Sequence, residues 1–151
     1  MRRILVTGMS GTGKSTALAE LGARGFRVVD TDEPGWKEPR EGDLVWREDR
    51  MSELLARDDG PTLFVSGCVS NQGLFYDRFD AVVLLSAPSE VLLERIETRT
   101  SNPYGKDPAE RELVLHHLAT VEPLLRATAT HELDASRTVD ELVEELIAIA
   151  A

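Results

Sequence analysis

The residues best suited to chemistry stand together near the start of the chain, in Gly8-Met9-Ser10-Gly11-Thr12-Gly13-Lys14-Ser15, followed by Thr16. Their spacing is G-x-x-x-x-G-K-[ST], set between the apolar run Ile4-Leu5-Val6 and a helical pattern, which is the context a phosphate loop requires. Glycines at these positions let successive backbone N–H groups converge on phosphate oxygens, and the helix that follows adds the positive end of its dipole. Lys14 is placed to bridge β- and γ-phosphate oxygens. Ser15 offers a hydroxyl to Mg²⁺, a hard cation that keeps waters beside substrate phosphates. The implied ligand is a nucleoside triphosphate with magnesium; the plain alternative is a flexible glycine-rich turn. The Asn-Lys-x-Asp tetrapeptide that reads guanine is missing, since Lys106-Asp107 follows Gly105, so ATP is expected.

Other candidates lie further along. Asp30 and Asp32 stand two apart after Val28-Val29. Phosphoryl transfer depends on charge neutralisation, in-line positioning and a carboxylate oriented on the attacking hydroxyl. The competing reading makes the two aspartates turn caps. Arg95 and Arg99 are four apart on one helix, so both can face the side from which it enters Thr100-Ser101-Asn102-Pro103-Tyr104-Gly105-Lys106, a segment with the character of a lid. Arg95 can equally pair with Glu94 or Glu97. Val69-Ser70-Asn71-Gln72 is a polar stretch able to hydrogen-bond an acceptor, and Cys68 beside it reads as a small packed side chain. His116 and His117 are neighbours on one helix and diverge, so no zinc constellation is expected.

Short runs of Val, Leu and Ile alternate with longer helical segments, the pattern of βαβ units around a parallel sheet. Strands are predicted at Arg3–Thr7, Arg27–Asp30, Thr62–Ser66, Ala81–Ser86 and His131–Asp134. Helices are predicted at Lys14–Gly22, Glu48–Arg57, Pro88–Thr98, Pro108–Thr128 and Val139–Ile149, with a kink or break at Pro123. Ile4-Leu5-Val6 and Val82-Val83-Leu84-Leu85 are apolar without alternation, so both faces of the sheet must be covered. The result is a three-layer α/β/α fold in one domain over residues 1–151. The segments Thr31–Arg47 and Thr100–Asp107 read as long irregular loops, a kind that often carries function.

These residues resemble the small P-loop kinases of the shikimate kinase, gluconate kinase and adenylate kinase group, over nearly the whole chain. The resemblance implies a P-loop NTPase fold with a five-stranded parallel sheet in the order 2-3-1-4-5, a lid at about 99–108 and an acceptor-binding segment at about 31–57. It implies that Asp30 helps hold the magnesium shell through water, that Asp32 contacts the acceptor and takes its proton, and that Arg99 closes over the transferring phosphate. By the same likeness Arg137, in Asp134-Ala135-Ser136-Arg137, lies on the adenine side, where Thr138 and Glu141 also form a capping box. Trp46-Arg47 is similar to a Phe-Arg dipeptide that would aim Arg47 at the acceptor, and Ser66-Gly67-Cys68 stands where that group has three glycines, placing Gly67 and Cys68 beside the acceptor. The chain departs from the shikimate kinase pattern at Arg50, where a Glu is expected. It departs again at Val121-Glu122-Pro123-Leu124-Leu125, where the Arg that holds the acceptor carboxylate is replaced by Val121.

The expected activity is therefore transfer of the γ-phosphoryl group of ATP, with Mg²⁺, to a small hydroxylated metabolite or nucleoside monophosphate other than shikimate. The alternative is an ATP-binding regulatory or partner module without efficient transfer. In 151 residues Lys+Arg number 17 and Asp+Glu 27, a formal charge of −10, which argues against nucleic acid and anionic membranes as partners. Only Lys14, Lys37 and Lys106 are lysines. One cysteine, Cys68, fits a reducing, cytoplasmic compartment, and no signal or membrane-spanning run is read. A monomer or weak homodimer is expected.

Overall fold

Alternate side chains of the first strand, β1 (Arg3–Thr7), point to opposite faces, and both faces are dry. Ile4 and Val6 join one core with Leu18 and Leu21 of α1 (Lys14–Ala23) and with Leu142, Val143 and Leu146 of α6 (Val139–Ala150). Leu5 joins a second core with Trp46 and with Met51, Leu54 and Leu55 of α2 (Glu48–Ala56). That double burial is why the strand carries no polar alternation. The computed structural model describes residues 2–57, 60–99 and 104–151.

Five parallel strands form the sheet: β1, β2 (Arg27–Asp30), β5 (Leu63–Ser66), β6 (Ala81–Ser86) and β7 (His131–Asp134), in the order β2-β5-β1-β6-β7. Counted by themselves they run 2-3-1-4-5, as expected. The chain numbering differs because two strands intervene. Val6 pairs with Ser66 on one side and Val83 on the other, so the strand ends that precede the loops lie level with one another. Ligand-binding loops in open α/β sheets gather at these carboxyl ends.

The intervening strands correct the irregular loop expected at Thr31–Arg47. β3 (Lys37–Arg40) and β4 (Asp43–Trp46) form an antiparallel hairpin outside the main sheet. Its two-residue turn has Glu41 at φ 53° and Gly42 at φ 81°, the pair of left-handed residues whose twist matches a tight hairpin. Pro39 is tolerated because a two-stranded ribbon is all edge.

The remaining helices are α3 (Ser89–Thr98), α4 (Pro108–Thr120) and α5 (Glu122–Thr128). Pro88 caps α3 from outside rather than occupying its first turn. The break expected near Pro123 falls at Val121, which ends α4 and caps α5. Gln72–Arg78 is a 3₁₀ helix that the sequence pattern did not announce. Among the described residues no helix is long and apolar enough to cross a membrane.

Candidate active site

The loop between β1 and α1 is held open by backbone contacts that only glycine permits. A Cβ on Gly8 would sit 2.5 Å from the carbonyl oxygen of Leu85, and one on Gly11 would sit 2.9 Å from that of Leu92. Gly13, at φ 90°, is the N-cap of α1 and leaves the first helical N–H groups turned toward the loop. Thr12 is buried, and its hydroxyl donates to the Met9 carbonyl at 2.9 Å. Lys14 folds back across the loop, donating to the carbonyls of Gly8 at 2.7 Å and Met9 at 3.2 Å. Burial pushes the Lys14 ammonium below its ordinary pKa, against the pull of Cys68, Asp32 and Asp30. A dense negative group arriving at the loop would reverse that desolvation cost.

Asp30 ends β2 facing the loop. Its Oδ2 accepts from Ser15 Oγ at 2.7 Å, and its Oδ1 accepts from the backbone N–H of Asp32 at 3.0 Å. Asp30 thus organises the turn, as the turn-cap reading expects, and also faces the Ser15 hydroxyl. Asp32 extends further out, where Lys37 Nζ donates to its Oδ1 at 2.9 Å. The sequence pattern assigns Lys37 no role. Its signal was the scarcity of lysine in an arginine-rich chain, and the missing piece was the hairpin that carries it.

Two clefts flank Lys14. The larger, of about 420 Å³, runs along Ser10 to Thr16 and is walled by Arg95, Thr98, Arg99, Arg137, Val139 and Leu142. This brings together the expected phosphate-loop residues, both helix arginines and Arg137 from the loop before α6. Arg99 Nη2 donates to the Tyr104 carbonyl at 2.7 Å, and burial lowers the pKa of its guanidinium. Arg137 also forms an ion pair with Glu145, and the expected capping box of Thr138 and Glu141 is present.

The smaller cleft, of about 210 Å³, is lined by Gly8, Met9, Ser10, Lys14, Asp32, Cys68, Tyr104, Val114 and His117. Ser10, Lys14 and Asp32 border both clefts. Cys68 packs, as expected of a small side chain, against the cluster of Met9, Leu84 and Leu125.

Several expected acceptor residues are placed otherwise. Arg47 lines neither cleft; it is the N-cap of α2, and its guanidinium pairs with Asp49 at 3.2 Å. Gly67 is buried, its N–H donates to the Val6 carbonyl, and a Cβ there would lie 2.2 Å from Thr31 Oγ1. Its smallness lets Trp46 Nε1 donate to Thr31 Oγ1 at 2.9 Å, which fastens the hairpin to the sheet. The polar stretch after it is likewise occupied. Asn71 exchanges two hydrogen bonds with the backbone of Trp46, and Gln72 donates to Thr7 Oγ1 and Tyr76 Oη. Ser70 donates to Asp43. Lys106 is exposed and lines neither cleft, while Thr100 to Pro103 of the expected lid lie outside the described residues.

Comparison with known proteins fits this geometry. The AAA_18 family model, an AAA domain, matches residues 4–116. The adenylate kinase isoenzyme 6 homolog of Caenorhabditis elegans is 30% identical over 95% of this chain and 84% of its own length. Shikimate kinase 2 of Yersinia enterocolitica is 31% identical over 98% of this chain and 95% of its own. Among solved structures, the shikimate kinase of Acinetobacter baumannii in complex with shikimate shares the fold, with a TM-score of 0.70 at 20% identity, covering 99% of this chain and 92% of that one. The chain spans about half the length, or less, of several nucleotide-binding proteins it also matches. With a phosphate loop at the head of a 2-3-1-4-5 sheet and this set of relatives, the chain belongs to the AAA_18 family of P-loop kinases.

Proposed function

We propose that the chain transfers the γ-phosphoryl group of ATP to a small hydroxylated acceptor, and that the larger cleft takes the nucleotide and the smaller the acceptor. The observation that carries this reading is the shared border of the two clefts, where Ser10, Lys14 and Asp32 stand between them. A triphosphate laid along Ser10 to Thr16 has its terminal group at that border, with the base between Arg137 and the apolar Val139 and Leu142. The acceptor oxygen forms its bond to the γ-phosphorus as the bond to the bridging oxygen breaks. ADP leaves, and the hydroxyl proton passes to the Asp32 carboxylate. Lys14 and Arg99 offset charge on the phosphoryl oxygens and hold donor and acceptor in line.

Ser15 Oγ and Asp30 Oδ2, 2.7 Å apart at the loop mouth, form a hard-oxygen pair that suits Mg²⁺, with Asp30 acting through water. Bound there, the ion would neutralise triphosphate charge and fix the phosphate geometry. Among the described residues no cluster of three or more His, Cys, Asp or Glu could hold a metal without the nucleotide's help. Shikimate itself is a poor fit, because Val121, standing where the resemblance expects a carboxylate-binding Arg, packs against Met9, Leu84 and Leu125. We also read the chain as one kinase unit acting in the cytoplasm, where the Cys68 thiol stays reduced.

The test is to incubate protein and Mg-ATP with a metabolite library and follow products by mass spectrometry. A phosphorylated product that disappears in Asp32→Asn supports the reading. Stoichiometric ATP binding with no acceptor modified anywhere in the library would leave a nucleotide-binding regulator instead.

A further inference from the structure

We infer that the phosphoryl acceptor is an uncharged hydroxyl compound, recognised by His117, rather than a carboxylate or a phosphate ester. The inference rests on the kinase reading above and narrows its acceptor class. A carboxylate or phosphate acceptor needs a cation of its own, since burying an anion beside a triphosphate without one is prohibitive. In the smaller cleft the ammonium of Lys14 belongs to the phosphate loop, where its Nζ lies 2.7 Å from the Gly8 carbonyl. Three cations of the acceptor segment, none of them lining the cleft, are engaged elsewhere. Lys37 is bound to Asp32 at 2.9 Å, Arg47 to Asp49 at 3.2 Å, and Arg50 donates to the Gly35 carbonyl at 2.9 Å while its guanidinium stacks on Trp36. Thr100 to Pro103, the segment leading to Tyr104, contains no cationic residue to add.

The acceptor face instead consists of an imidazole, a tyrosine and three apolar or soft side chains. Val114, His117, Leu118 and Val121 recur at helical spacing. Val114 and His117 line the cleft, while Leu118 and Val121 pack on the cluster that includes Met9 and Cys68. His117 thus lines the cleft one turn before Val121, and Asp32 lines the same cleft. An imidazole both donates and accepts, which suits a vicinal hydroxyl. The volume of about 210 Å³ is below the ~300–1,000 Å³ of drug-sized ligand pockets, and so favours a compact polyol over a nucleotide.

The chemical class can be read before the compound is known. A small-molecule cell extract is separated into one fraction that passes both anion and cation exchangers and a second that the anion exchanger retains. Each is incubated with the intact protein and γ-labelled Mg-ATP. Label is expected in a product made from the uncharged fraction. With that acceptor, His117→Ala is expected to raise its KM about tenfold, with much smaller effects on kcat and on the KM for ATP, and His117→Gln to restore most of the loss. Label transferred mainly to a retained, anionic compound overturns the inference while leaving the kinase reading intact, as does an unchanged acceptor KM in His117→Ala. Label found mainly in the remainder held by the cation exchanger, incubated in the same way, likewise overturns the inference alone; if no fraction accepts label although Mg-ATP binds, the kinase reading falls and takes the inference with it.

Discussion

Lys14 and Asp32 border both clefts, and they are expected to fail differently. Lys14→Ala removes the cation beneath the phosphates, so transfer should be abolished and triphosphate affinity should drop at least tenfold by calorimetry; intact turnover would remove the assignment. Asp32→Asn keeps the shape and the hydrogen-bonding reach of the side chain but cannot take a proton. ATP affinity should stay within about twofold while single-turnover transfer slows by 10²–10⁴, the usual contribution of a positioned acid or base. If Asp32 takes the proton as proposed, Lys37 would act one step back, fixing it through their 2.9 Å ion pair. Lys37→Met should therefore lower kcat with the acceptor, leave ATP binding unchanged, and be rescued in part by Lys37→Arg. A purely structural lysine would show no such split.

The hairpin, the 3₁₀ helix and the buried glycine after β5 show which elements the sequence made legible. The phosphate loop was readable because chemistry fixes four residue types at set intervals, and the parallel strands because burial on both faces leaves continuous apolar runs. The hairpin was not readable. Lys-Glu-Pro-Arg followed by Glu-Gly has neither alternation nor a strong turn dipeptide, and its stability comes from Trp46 meeting Thr31 and Asn71 across long stretches of sequence. For the same reason Asn71, Gln72 and Gly67, which looked like acceptor ligands, turn out to be joinery. Gly67→Ala should cost about 1–3 kcal/mol, seen as a lower urea midpoint at unchanged slope, because a Cβ would meet Thr31 Oγ1 at 2.2 Å. At the other end of the chain, Thr138→Ala removes the capping box of α6. That should cost about 1 kcal/mol, or about 2–4 °C in Tm for a chain of this size.

Across the whole molecule the charge of −10 coexists with a site built for a polyanion, because the loop N–H groups, Lys14, Arg95, Arg99 and Arg137 are concentrated around one cleft. At the end of β7, Arg126 and then Ser86 hold Glu132 below its ordinary value of 4.5, and the Ser136 hydroxyl and N–H hold Asp134 below 3.8. A depressed carboxylate contributes stability above its unfolded pKa and loses it as pH falls through the folded value. The Tm should accordingly decline on acidification below about pH 4.5, and Glu132→Gln should be less stable than the parent at neutral pH, with the gap closing in acid. The shared floor of Ser10, Lys14 and Asp32 has one further result. If, as proposed, donor and acceptor sit on either side of it, a single molecule joining adenosine to an uncharged polyol through a phosphate chain would occupy both clefts at once. Its second half would bind at the high effective concentration set by the tether, making such a conjugate a far tighter inhibitor than either half.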